Sequence, residues 1–192
     1  MWTAIFSHLC GQGRCLLVEG VPLPVCQRCL GLYIAAAVTG AYLIVSGAWR
    51  QGYPARRAIV VHSLMLMAAM LGGLHLIDFG PTWRLVCGLW TGHVAMIWLL
   101  GGARSLQMSV WPPDQPTEAR DKHARPVGWL APVLYGVAAW GFVSAQPGGW
   151  WIWTSLAAVG AGFLLLAILL AVSTVFAWLA TASRTALSAN HK

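Results

Sequence analysis

Five apolar stretches, each long enough for one bilayer crossing and each cut from the next by a polar or Pro/Gly-bearing segment, limit what this chain can fold into. A hydrocarbon core about 30 Å thick needs about 20 helical residues. Lipid offers the backbone no hydrogen-bond partner, so such stretches must be helices. They fall at residues 30–49, 58–79, 83–103, 127–145 and 151–178. Charged residues make up 9% of the chain and apolar ones 58%, too few charges to clothe a water-soluble surface. The expected fold is an all-α integral membrane bundle of about five transmembrane helices, with the lipid bilayer as solvent.

The pieces between the runs carry the rest of the organisation. Residues 1–29 hold Pro22, Pro24, three glycines and four of the five cysteines, which predicts a small cysteine-rich cap or loop. Residues 30–103 form a three-helix membrane core, in which the short Gly80–Pro81 turn makes spans two and three a tight antiparallel pair. Residues 104–126 are a polar linker, 127–179 two further spans and 180–192 a polar tail. Gly31, Ala35 and Thr39 form a small-residue face on the first span, and Gly88 and Gly92 a GxxxG-like step on the third. The first 25 residues show no basic segment leading into a continuous apolar core, so the N-terminus is expected to stay attached.

Charge placement sets an orientation. Arg50, Arg56, Arg57, Arg104, Arg120, Lys122, Arg125, Arg184 and Lys192 fall on one side of the expected spans, and Arg14, Arg28 and Arg84 on the other. The basic-rich side is cytoplasmic by the positive-inside rule. The cysteine cap is therefore expected outside an inner or plasma membrane and the C-terminus in the cytoplasm. The net charge of +7 comes from scattered residues and not from a basic patch interleaved with aromatics, so nucleic acid is not an expected partner. Trp49, Trp83, Trp129, Trp150 and Trp151 lie near run ends, where indole rings prefer the interface.

Chemistry concentrates at the expected outer face. Cys10, Cys15, Cys26 and Cys29 have the spacing C-x4-C-x10-C-x2-C. Two thiolate pairs can fill four tetrahedral corners at about 2.3 Å from zinc, with His8 and His75 as alternate ligands. The same spacing permits thiol–disulfide exchange, helped by Arg28 inside CQRC, or two plain structural bridges. Spacing alone does not separate these three. Asp78 and Arg84 flank the short turn and are expected to pair, either to lock the hairpin or to border a site. His62 and His93 lie within spans two and three, His93 near the middle, where it suits a buried polar contact between helices.

The cysteine-bearing run resembles a family of small bacterial multi-pass membrane proteins classed as a domain of unknown function. Members carry a Cys-His-Gln step, matched by Cys10, Gly11 and Gln12. They then carry a Gly-x-Pro-Leu-Pro-x-Cys-x-Arg-Cys-x-Gly-x-Tyr run, matched by Gly20, Pro22, Leu23, Pro24, Cys26, Arg28, Cys29, Gly31 and Tyr33. Asp78, Arg84 and Gly88 resemble a later Asp-Gly turn with its Arg and glycine-containing helix. The likeness covers residues 5 to 103 and implies a Cys3His metal site. Gly11 stands where the family has His, so Cys15 or His8 would supply the missing ligand.

The leading expectation is an accessory membrane protein whose cap binds zinc through Cys10, Cys15, Cys26 and Cys29. It would pack into a membrane complex or a homo-oligomer. The alternative is a membrane thiol oxidoreductase that passes electrons between Cys10/Cys15, Cys26/Cys29 and a quinone held near Arg84 and His75. A transport role would have to run through His62, His93, His75 and Asp78, without the broken helices or inverted repeats that such paths use.

Overall fold

The computed structural model describes residues 15–51, 56–74, 76, 79–110, 134, 137–138, 140–141, 145 and 149–189. It is mostly helical, and three of its helices are long and apolar enough to cross a membrane. Strands β1 (Cys15–Val18) and β2 (Val21–Cys26) pair antiparallel ahead of helix α1 (Gln27–Ser46). A short 3-10 turn at Ala48–Gln51 follows, then α2 (Arg56–Gly73), α3 (Pro81–Val110) and α4 (Trp150–Ala189). Within the expected fourth span, Leu134, Val137, Ala138, Trp140, Gly141 and Ala145 are helical, and its other residues lie outside the described set.

The segment expected as a cap or loop is in its second half a β-hairpin. Val18 pairs with Val21 around a two-residue turn in which Glu19 (φ 55°) and Gly20 (φ 78°) both take the left-handed conformation. Two such residues make the turn whose twist matches that of the flanking strands. Leu16, Val18, Leu23 and Val25 alternate inward and are buried, whereas Leu17 and Val21 face out. Pro22 and Pro24 mask this period of two in the sequence.

Caps set the helix ends, and hydropathy did not locate them. The first helix begins at Gln27 and not Leu30, because Cys26 is its N-cap, and it stops at Gly47, whose left-handed φ of 67° ends it. Helix α2 stops at Gly73, short of the expected Phe79, after two consecutive glycines. Helix α3 starts with Pro81 at its first position, where a missing N–H costs nothing, and the Arg84 N–H bonds to the Gly80 carbonyl. It then continues past Ala103 to Val110, just short of Pro112 and Pro113. Gly149 caps α4 by accepting from the amides of Ile152 and Trp153.

Helices α1, α3 and α4 run parallel. Gly88 and Gly92 of α3 lie against the Arg28 and Leu32 carbonyls, while Gly160 of α4 lies against the Tyr33 carbonyl, each so close that a Cβ would clash with the facing backbone. Gly31 and the fully buried Ala35 belong to the same contact, so the small-residue steps are where the backbones meet. Helix α2 is antiparallel: its C-terminal Gly72 meets Arg28, and its His62 meets Trp98. Leu16, Val18, Leu23 and Val25 join Leu30, Tyr33, Leu85, Leu89 and Ala157 in one core, so the hairpin closes the N-terminal end of the three parallel helices.

Candidate functional site

The hairpin brings cysteines distant in sequence to one end of the bundle. Cys15 at the start of β1 is the register partner of Cys26 at the end of β2. An irregularity in register between Cys15 and Leu17 brings Cys15 opposite Cys26 and not Pro24, so the two cysteines meet where the hairpin leads into α1. Cys29 lies one helical turn on, and its amide N–H donates to the Cys26 Sγ at 3.5 Å. Cys26 is buried, and Cys15 and Cys29 are half-buried. Among the described residues, no three His, Cys, Asp or Glu side chains stand together as a metal-binding group. Cys10, His8, His75 and Asp78 lie outside the described residues. Arg84 sits in the first turn of α3 at this same end, and Cys87 is buried one turn further along.

Arg28, expected to favour a thiolate in the adjoining cysteines, also reaches across to α2. Its guanidinium donates to the Gly72 carbonyl, satisfying an orphan acceptor at the C-terminal end of α2, where a cation also complements the helix dipole. Glu19 plays the matching part at the other pole. One of its carboxylate oxygens accepts from the Gly149 amide at 3.0 Å, at the positive end of α4. The Trp150 indole N–H donates to the Pro22 carbonyl at 3.2 Å. The two contacts tie the hairpin to the last helix, and the sequence carried no sign of either.

A second polar cluster lies deep in the bundle. His93, 12 residues into α3, is about 18 Å from the start of that helix, near mid-bilayer depth. Its Nδ1 is 3.0 Å from the Thr39 hydroxyl of α1. His62 of α2 packs edge-on against it, ring centroids 5.7 Å apart at 88°. The Trp98 indole donates to His62 Nδ1 at 3.3 Å. Indole only donates, so that ring nitrogen carries the lone pair, and neutral His62 holds its proton on Nε2. This Nε2 is buried and has no hydrogen-bond partner among the described residues. The expectation of an interhelical polar contact at His93 is met by Thr39. The approach of His62 to His93 comes from the register between α2 and α3.

Residues 10–98 match the family model described as "Predicted membrane protein (DUF2085)". The matched region holds the hairpin, α1, α2 and the first part of α3, and so contains the cysteine end and both buried histidines. No curated protein and no solved structure matches the chain.

Proposed function

We propose that this chain is a five-helix inner-membrane protein whose extracytoplasmic hairpin cap is held by a structural zinc ion on Cys10, Cys15, Cys26 and Cys29, an accessory element of a membrane complex or homo-oligomer. The observation that carries the reading is the placement of Cys15 opposite Cys26, with the Cys29 amide aimed at the Cys26 sulfur. Thiolates at about 2.3 Å from a tetrahedral zinc are about 3.8 Å from one another. Cross-strand partners and a residue one helical turn away share one end of the hairpin, and bound zinc would draw their thiolates to that separation. Cys10 precedes Cys15 by five residues, within reach of the same point, with His8 and His75 as substitutes. Bound zinc would supply folding free energy to a hairpin whose strands are only 4 and 6 residues long. Asp78 and Arg84 would brace the adjoining turn.

The parallel course of α3 and α4 supports the fifth helix. A chain leaving α3 at one face must return before Gly149, and the apolar run 127–145 has the length to do so. The positive-inside count then puts the hairpin outside.

A thiol oxidoreductase would use the same cysteines with a quinone near Arg84 and His75. The apolar cavity lined by Ile44, Trp49 and Phe163 lies at the other end of α1. Elemental analysis of detergent-purified protein, with thiol titration under denaturing, non-reducing conditions, decides between the two. One zinc per chain and five titrating thiols after chelation is the expected result. No metal and a single titrating thiol would overturn the zinc reading in favour of disulfide chemistry.

A further inference from the structure

The end of the bundle away from the cysteines holds a cavity of about 220 Å³ between α1, α3 and α4. Ile44, Met96, Leu100, Phe163, Leu166 and Leu170 are among its eight lining residues, all of them apolar. Its volume falls below the roughly 300–1,000 Å³ of sites that enclose a whole small molecule, so it suits a segment of linear chain. Trp49, from the 3-10 turn after α1, forms part of the wall.

Arg104 stands one turn beyond Leu100 on α3, on the same face of the helix. It is 23 residues past Pro81, about 35 Å along the axis, whereas Leu100 is about 28 Å along. A hydrocarbon core is about 30 Å thick, so the cavity lies at acyl depth and Arg104 at headgroup depth. Its guanidinium bonds one neutral partner, Gln107, at 2.9 Å, and its Nε is buried without a hydrogen-bond partner among the described residues. A cation at phosphate depth over an apolar slot is complementary to one kind of molecule.

We propose that this cavity binds one acyl chain of an anionic glycerophospholipid, with its phosphate paired to Arg104 and its glycerol region against Trp49. Arg104 contributes charge and a forked donor set, while the cavity contributes the fit that distinguishes a bound lipid from bulk annulus. The site is independent of the cysteine cap.

The test is delipidated full-length protein in detergent, titrated with phosphatidylglycerol or phosphatidylcholine and followed by native mass spectrometry and thermal unfolding. Phosphatidylglycerol should bind about fivefold more tightly than phosphatidylcholine, the scale of one basic residue near a charged headgroup. Arg104→Gln should abolish that preference while leaving the fold intact. Ala167→Phe, which fills the cavity, should remove binding of both lipids. Equal affinity for the two lipids, an unchanged preference in Arg104→Gln, or the same stabilisation by glycerol phosphate alone would each overturn the proposal.

Discussion

Replacing Gly88 by valine should separate α1 from α3. A Cβ at residue 88 falls inside contact distance of the Arg28 carbonyl. That backbone has little room to retreat, since Gly31 on the same helix lies against the Leu85 carbonyl. Relief therefore requires the helices to move apart by about 1 Å. A gap of 0.5–1 Å forfeits a quarter to a half of each dispersion well of about 0.1–0.2 kcal/mol, and a buried leucine makes about 40–60 such contacts. If about half of the contacts of Leu85, 2% exposed, cross to α1, it alone loses about 1–2 kcal/mol. We expect Gly88→Val to destabilise by about 3 kcal/mol and Gly88→Ala by less, within the range of overpacked cores. Gly162→Val is the control, because a Cβ there meets nothing within 4 Å and should change stability by about 0.5 kcal/mol or less. Unfolding in mixed micelles of increasing dodecyl sulfate content, read by tryptophan fluorescence, measures both. Equal midpoints for Gly88→Val and Gly162→Val would refute the close-contact reasoning.

Three further outcomes follow from the polar contacts. Trp98→Phe leaves the buried His62 Nδ1 without its donor and should cost about 1–3 kcal/mol in the same unfolding assay, with no shift counting against the buried pair. Arg28→Gln removes a charged donor from the Gly72 carbonyl and should lower stability by about 1.5–3 kcal/mol. Amide exchange in the last turn of α2 should rise with it, and unchanged exchange there would show that the bond does not hold that helix end. Glu19→Gln weakens the carboxylate contact at the start of α4 by about 0.5 kcal/mol, whereas Gly20→Val forces a branched residue into the left-handed turn at about 1–2 kcal/mol. Limited proteolysis between residues 15 and 26 should accelerate more for the second change than for the first.

Hydropathy alone located α1, α3 and α4, because a run of apolar residues in lipid has one regular structure open to it. The glycine steps at Gly88 and Gly92 were legible for a related reason: close helix contact in a membrane selects small residues. Helix ends were less legible, since Gly47 and Gly149 act through left-handed backbone that a hydropathy window averages away. The hairpin hid behind its prolines, and its clearest mark was Gly20 between two short alternating runs. Contacts across long separations were not legible. Arg28 and Gly72 are 44 residues apart, and His62 meets Trp98 across 36, a register between α2 and α3 that no periodicity within either helix specifies. At the cysteine end, the spacing named the residues and the hairpin supplied the pairing of Cys15 with Cys26.

The bond from Gly149 to Glu19 joins residues 130 positions apart, and this sets a schedule for biogenesis. A ribosome adding 5–20 residues per second takes about 6–26 s to travel from the hairpin to the start of α4. During that interval the hairpin has been made, while the helix whose Trp150 covers the Pro22 carbonyl, and the Gly149 amide ahead of it, have not. The cap is therefore completed last although it is synthesised first. A chain stalled or cleaved before residue 149 would carry an open hairpin, with the Glu19 carboxylate and the Pro22 carbonyl uncovered, marking it as unfinished.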